Sequence, residues 1–416
     1  MTRILSFGKS SIHILYPILM SLCSVINTCL LTILNKLDEK NPNDAFGNHP
    51  FFLFWVMYLA ESMILFLFLI QRNRSNRKTI QQQEQNKIAL FNKPIQEETI
   101  NQEKLQFLPG NKVKLLLMIT FLGLFDFASS ILGIILDETG VDYFYIIFQA
   151  VFLLITAQLS RIFLKYQYHR YHLAGIIIYL IGVTLYSVFD SVFIPTKGTT
   201  TLNVVLYIGL MIITQLLGAF MDCGEKYLMD EKYLSPFVIV SFEGISGFII
   251  MSIAILISSF IQCSKDNYFC KKDQYVENLS EVFTFFYHHS LYLILYIVFF
   301  FFLFLLNVFR LLTNQHYSPA HRGISNTISP CISWVIKLCV PFMNSFSSET
   351  SIGYYIGISL SDLIMIFGVF IFLEIFILGC WKINENNREI IIKRENQEHI
   401  NLLLDAKELN LGLDNM

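Results

Sequence analysis

Three carboxylates stand where carboxylates are costly. Glu61, Asp126 and Glu243 each lie inside a long apolar run. A charge at the centre of a bilayer costs at least about 2.5–3.5 kcal/mol, so such a group faces a cavity or a partner. Two kinds of chemistry follow. The three acids line a central cavity, where they accept protons or hold a cationic solute. Alternatively they pair with Lys337, Arg322 or backbone donors and brace the helices. Asn307 and Arg322 lie near one end of their runs. There they gate or orient a solute, or they snorkel to the interface and cap a helix.

Other signals sit outside the apolar runs. Asn278-Leu-Ser is a glycosylation sequon. Cys263 and Cys270 share its loop, either as a disulfide formed in an oxidising lumen or as two free thiols. Glu398-His-Ile-Asn-Leu402-Leu403 fits an acidic dileucine sorting signal. The same tail, from Glu389 to Leu413, also reads as an amphipathic helix lying on a membrane. His169/His172 and His288/His289 fall at the ends of apolar runs, where histidine is ordinary, so no metal is expected. No phosphate-cradling glycine loop, nucleophile triad or zinc spacing occurs. The chain is therefore read as neither an enzyme nor a cofactor protein, and no nucleic-acid partner is expected.

The elements that must position these groups are membrane helices. Hydrophobic residues make up 54% and charged residues 15%, against roughly 25% charge in soluble domains. Crossing about 30 Å of hydrocarbon takes a helix of about 20 residues. Ten runs qualify: Ile12–Leu34, Phe51–Ile70, Val113–Leu136, two between Tyr143 and Asp190, Asn203–Met221, Pro236–Phe260, His288–Leu312, Pro319–Pro341 (interrupted at Pro330) and Tyr354–Cys380. The first is too long, and lacks a clear cleavage site, for a signal peptide. A basic turn, Lys165–His172, joins the fourth and fifth. Gly175 and Gly182, seven apart on the fifth, invite close approach by another helix. The polar, basic stretch 71–112 reads as a disordered cytosolic loop. Orientation follows the basic loops. The amino terminus (1–11), the 71–112 loop, the Lys165–His172 turn, the Lys226/Lys232 connection and the tail (381–416) fall in the cytosol. The 261–287 loop falls in the lumen. Both termini are thus cytosolic.

Residues 12–193 and 203–380 form two halves of five spans each. An odd number of spans per half makes the second half enter inverted, a common transporter plan with its site at the interface of the repeats. The fold class expected is an all-α multi-pass membrane protein with ten transmembrane helices in two inverted five-helix halves.

Several short stretches carry a family likeness: Ile26-Asn27-Thr28, His49-Pro50-Phe51, Glu61, Asp126, Leu173 to Gly182, Asp190, Glu225-Lys226-Tyr227, Pro236, Glu243-Gly244, Asn307 and Ser318-x-x-x-Arg322. In this order and spacing the chain resembles the EamA-like drug/metabolite transporter superfamily, and within it solute carrier family 35, subfamily F. The resemblance covers residues 25 to 380 outside the basic loop. It implies ten helices in inverted halves and alternating-access movement of small organic solutes across internal membranes. There are departures. Relatives often carry Arg-Gly where this chain has Phe148-Gln149. They also often follow the matched Arg322 with an acid and a base, near Asn326 and Pro330 here. Nucleotide-sugar carriers of the family use basic residues to hold phosphate.

The expected function is a transporter moving a small organic solute across an endomembrane, with proton coupling. The surplus of intramembrane acids over bases favours an amino acid, amine or drug-like solute of an endolysosomal or vacuolar compartment. The alternatives are a Golgi or endoplasmic-reticulum nucleotide-sugar carrier and a non-transporting membrane adaptor. Expected partners are the solute, membrane lipid, a sorting adaptor on the tail and a second copy in a homodimer.

Overall fold

A computed structural model of the protein describes residues 5–7, 15–40, 50–70, 72–74, 112–138, 145–193, 201–261, 279–339 and 352–378. Asn278, Cys263, Cys270, Glu398, Leu402, Leu403, residues 75–111 and the 381–416 tail lie outside the described residues. So does the side chain of Lys337.

The architecture is helical. In chain order the helices are α1 (Leu15–Lys40), α2 (Pro50–Ser62), α3 (Lys112–Glu138), α4 (Tyr145–Phe163), α5 (Arg170–Phe193) and α6 (Thr201–Asp230). Then come α7 (Pro236–Ser258), α8 (Leu279–His288), α9 (Ser290–His316), α10 (Pro319–Asn326), α11 (Ile328–Cys339) and α12 (Ile352–Phe372). After a turn at Met63, helix resumes over 64–70. Two three-residue strands, Leu5–Phe7 and Phe376–Leu378, pair antiparallel. Among the described residues nine helices are long and apolar enough to cross a membrane. The chain is a multi-pass membrane protein on that measure. Helix is the form such segments must take, because lipid offers no partner to a free backbone N–H or C=O. Large apolar side chains such as Leu117, Phe121, Ile297 and Leu363 point outward, as a lipid-facing surface requires.

The run Pro319–Pro341 is not one continuous span. It forms α10 and α11, of 8 and 12 residues, with the break at Thr327. The break lies one turn before Pro330. Proline lacks the N–H that would bond the carbonyl four residues back, and its ring crowds that carbonyl. The carbonyl in question belongs to Asn326. The last span is also shorter than the apolar run: α12 stops at Phe372. Glu374 takes a left-handed φ of 58°, and the N–H groups of Glu374 and Ile375 return to the carbonyls of Ile371 and Phe370. That pair of bonds closes a helix end of the Schellman type, with glutamate where glycine is usual.

Close pairs of helices hold the bundle together. α5 packs along α12, α2 along α7, α1 along α9 and α3 along α6. α4 packs on α6 and α10, α1 on α10 and α11, α3 on α7 and α2 on α9. The α5–α12 seam runs backbone to backbone. A Cβ added to Gly175 would stand 2.7 Å from the Phe372 nitrogen, and one on Gly368 would stand 2.6 Å from the Tyr179 nitrogen. Only glycine permits that approach. The turn between α4 and α5 docks on the start of α10 through a 3.3 Å hydrogen bond between the Tyr168 and Ser318 hydroxyls. Burial pushes the Tyr168 phenol up to about 12, so it stays protonated at any physiological pH.

Candidate functional site

The site begins with a helix that outlasts its apolar run. The sequence places Asp222 to Tyr227 in a charged connection after the sixth span. Instead α6 continues to Asp230 and buries Asp222, Glu225 and Lys226. Positions i, i+3 and i+4 share a helix face, so these charges point the same way. α9 likewise runs on to His316, bringing Asn307, Arg310 and Asn314 to one face at spacings of three and four. α10 starts at Pro319, with Ser318 extended before it, and delivers Arg322 one turn later.

These three elements meet in a network of ions. Arg322 is nearly fully buried. Its Nη2 lies 2.9 Å from Asp222 Oδ1, and its Nη1 binds Glu225 Oε2. Asn314 Nδ2 donates to Glu225 Oε2 at 2.9 Å and to the Asp222 carbonyl at 3.2 Å. Lys226 Nζ donates to the Gln315 carbonyl at 2.7 Å and pairs with Asp230 at 3.3 Å. Arg310 is held more loosely. Its Nη2 is 3.7 Å from Asp222 Oδ1, and 29% of its side chain is exposed. The helices of this corner are thus tied by charge-assisted bonds, roughly twice as strong as neutral ones.

A second group of acids faces this network and shares Arg310 with it at longer range. Glu61 on α2 and Glu243 on α7 are buried, and Asp126 on α3 is partly so. Among the described residues none of the three lies within 4 Å of a basic nitrogen. Glu243 Oε1 is buried without any hydrogen-bond partner. Backbone contact fixes Glu61 against α7. A Cβ added at Gly244 would stand 2.5 Å from the Ser62 nitrogen and 2.6 Å from Glu61 Cβ. One residue later, at Met63, α2 turns. On the same seam, the Tyr58 hydroxyl donates to Ser130 on α3 at 3.0 Å.

All five residues singled out from the sequence, Glu61, Asp126, Glu243, Asn307 and Arg322, line one cavity. Glu225, Arg310, Met221, Val240 and Leu311 complete its wall. The cavity is narrow: about 10 Å3 of it holds the centre of a water molecule, within about 270 Å3 of space that is partly open to the outside. That is room for about one water, and less than the roughly 300–1,000 Å3 of ligand pockets.

Arg322, expected either to gate a solute or to snorkel and cap, is buried and paired with Asp222 and Glu225, not with Glu61, Asp126 or Glu243. Sequence reasoning missed Asp222, Glu225 and Arg310 as site members. The signal was present in the spacing of Asp222, Glu225 and Lys226 and in that of Asn307, Arg310 and Asn314. Of the histidines, His172 is buried with its ring 5.1 Å from that of His321. Among the described residues no three His, Cys, Asp or Glu side chains are grouped to hold a metal ion.

No family model matches the chain, and no curated protein does. Solved structures do match by shape. One crystal structure superposes over 86% of this chain and 95% of its own, with a TM-score of 0.50 and 10% sequence identity. The chain is similar to it in fold alone.

Proposed function

We propose that this protein is a carrier that moves a small organic solute across an endomembrane by alternating access, coupled to protons. The observation that carries the reading is the cavity with its charge balance. Five carboxylates (Glu61, Asp126, Asp222, Glu225, Glu243) gather with two guanidiniums (Arg310, Arg322) inside a bundle of apolar helices. The acids outnumber the guanidiniums by three. Intramembrane acids without cations are expensive and mark proton relays or solute paths. Protons or a cationic group of the solute must supply the missing positive charge.

The packing supports ten spans in two inverted halves, with α10 and α11 together as the ninth. Exchanging α1 with α6, α2 with α7, α3 with α9, α4 with α10–α11 and α5 with α12 maps the principal contacts onto one another. The α1–α9 contact becomes α6–α3, α4–α6 becomes α10/α11–α1, and α3–α7 becomes α9–α2. The α2–α7 and α5–α12 contacts map onto themselves. The cavity takes acids from both halves. This plan and the matched residues support membership of the drug/metabolite transporter superfamily, near solute carrier family 35, subfamily F. Basic loops support cytosolic termini, and the acid surplus supports an endolysosomal or vacuolar home over a Golgi one.

A nucleotide-sugar carrier is the second reading. It needs several cations free for phosphate, whereas both outer nitrogens of Arg322 are engaged by Asp222 and Glu225 and the looser Arg310 stands alone among five carboxylates. A non-transporting adaptor would have no use for a buried acid cluster. The test is reconstitution in liposomes with an imposed pH gradient. A mixture of amino acids, amines and nucleotide sugars is offered, and uptake is read by mass spectrometry. Gradient-dependent uptake of an amino acid or amine is expected. Uptake of nucleotide sugars alone, or of nothing beyond empty liposomes, would overturn the reading.

A further inference from the structure

The two arginines of the cavity are in different states. Arg322 spends both terminal nitrogens on Asp222 and Glu225 and is nearly fully buried. Arg310 has, among the described residues, one ionic contact, to Asp222 at 3.7 Å. That is too long for a hydrogen bond. A guanidinium carries five N–H donors in a planar fork that matches a carboxylate at two points. Arg310 therefore lines the cavity with its charge shared among Glu225, Asp222, Asp126 and Glu61 and, among the described residues, no hydrogen bond drawn from its fork. Opposite in charge stand Glu61, Asp126 and Glu243, and Glu243 Oε1 is buried with no partner. Met221, Val240 and Leu311 supply apolar wall.

We infer that the solute is a zwitterion of the α-amino-acid class, its ammonium held among Glu61, Asp126 and Glu243 and its carboxylate taken by Arg310. The inference rests on the carrier reading and narrows it. A simple amine would satisfy the acids and leave the Arg310 fork empty. A phosphate or carboxylate anion would satisfy Arg310 and face three uncompensated acids. A zwitterion supplies a partner to each side and adds no net charge, so the positive charge still missing comes from the coupled protons. Its side chain lies against Met221, Val240 and Leu311.

The purified full chain in lipid nanodiscs is tested by thermal shift with each of the twenty common amino acids. Each amino acid is paired with its amide, which keeps the ammonium and blocks the carboxylate, and with its N-acetyl form, which does the reverse. A ligand that binds only the folded state raises the melting temperature. At least one free amino acid is expected to stabilise the protein, with both blocked forms at least tenfold weaker. In Arg310→Gln and Arg310→Lys, the preference for that amino acid over its amide shrinks at least fivefold, while binding of the amide itself persists. Having two variants guards against one that misfolds. An amide that binds wild type as well as the free amino acid overturns the zwitterion and leaves a carrier of amines standing. A response to N-acetyl forms or nucleotide sugars alone overturns both. No response to any of the twenty overturns the zwitterion, and liposome flux then decides on the carrier separately.

Discussion

The two ends of α6 are closed in opposite ways. Near its start, Tyr207 and Met211 meet Leu136 from the end of α3 and Phe148 from the start of α4 in a hydrophobic cluster without charged members. Near its finish, Asp222 and Glu225 meet Arg310 and Asn314 from the end of α9 and Arg322 from the start of α10. The helix has 30 residues, about 45 Å at 1.5 Å per residue. Its ends therefore reach towards opposite faces of the roughly 30 Å hydrocarbon layer. An apolar contact loosens by degrees and tolerates changes of shape. A buried ion network is made or broken as a unit, because a charge left alone in the interior is the costly state. The ionic end is thus the all-or-none contact, and the apolar end the yielding one.

The sharpest way to break the comparison is to halve the ionic end. Arg322→Met leaves Asp222 and Glu225 buried together without their main cation, and a cost of about 3–5 kcal/mol is expected. It is read as a fall in melting temperature and in yield of folded protein. Replacing Arg322, Asp222 and Glu225 together with apolar residues of similar volume should recover most of that loss. Failure to recover it would mean that the network does more than neutralise itself. Next in size is an effect on transport. Glu61→Gln with Glu243→Gln removes two of the uncompensated acids. Flux should fall at least tenfold while the melting temperature holds or rises. A fall in both would assign these acids to bracing. Lys226→Met removes the bond to the Gln315 carbonyl at the rim of the network. Hydrogen bonds to charged groups contribute about 1.5–3 kcal/mol, and a loss in that range is expected by thermal denaturation. The smallest effect belongs to the apolar end. Met211→Leu keeps volume and character, so a change under about 1.5 kcal/mol with flux unaltered is expected.

The spans were legible because lipid leaves the chain one solution, and apolar runs of the right length announce it. Gly175 and Gly182 were legible for a related reason, since small residues at fixed spacing on a membrane helix have packing as their use. The finer boundaries were not. Asp222 to Tyr227 looked like a loop because charge was taken as the mark of water. In the folded chain those charges are answered by Arg322, Arg310 and Asn314, which lie about 90 residues away, and no local window contains both sides of the pairing. The break at Thr327 was misplaced onto Pro330 because the proline acts on the turn before it. The overrun beyond Phe372 had the same origin as the shortfall at Met221. Glu374 sits among apolar neighbours, and only its left-handed backbone reveals the end of the helix. The acids of the site were readable individually. Their division into answered and unanswered charges was not.

The unanswered acids are expected to serve transport. The most direct measurement is counterflow of a labelled amino acid in proteoliposomes, comparing wild type with the Glu61→Gln/Glu243→Gln variant at matched amounts of folded protein. The prediction is robust exchange by wild type and at least a tenfold loss in the variant, with melting temperatures equal or the variant's higher. Equal exchange by both would contradict the account.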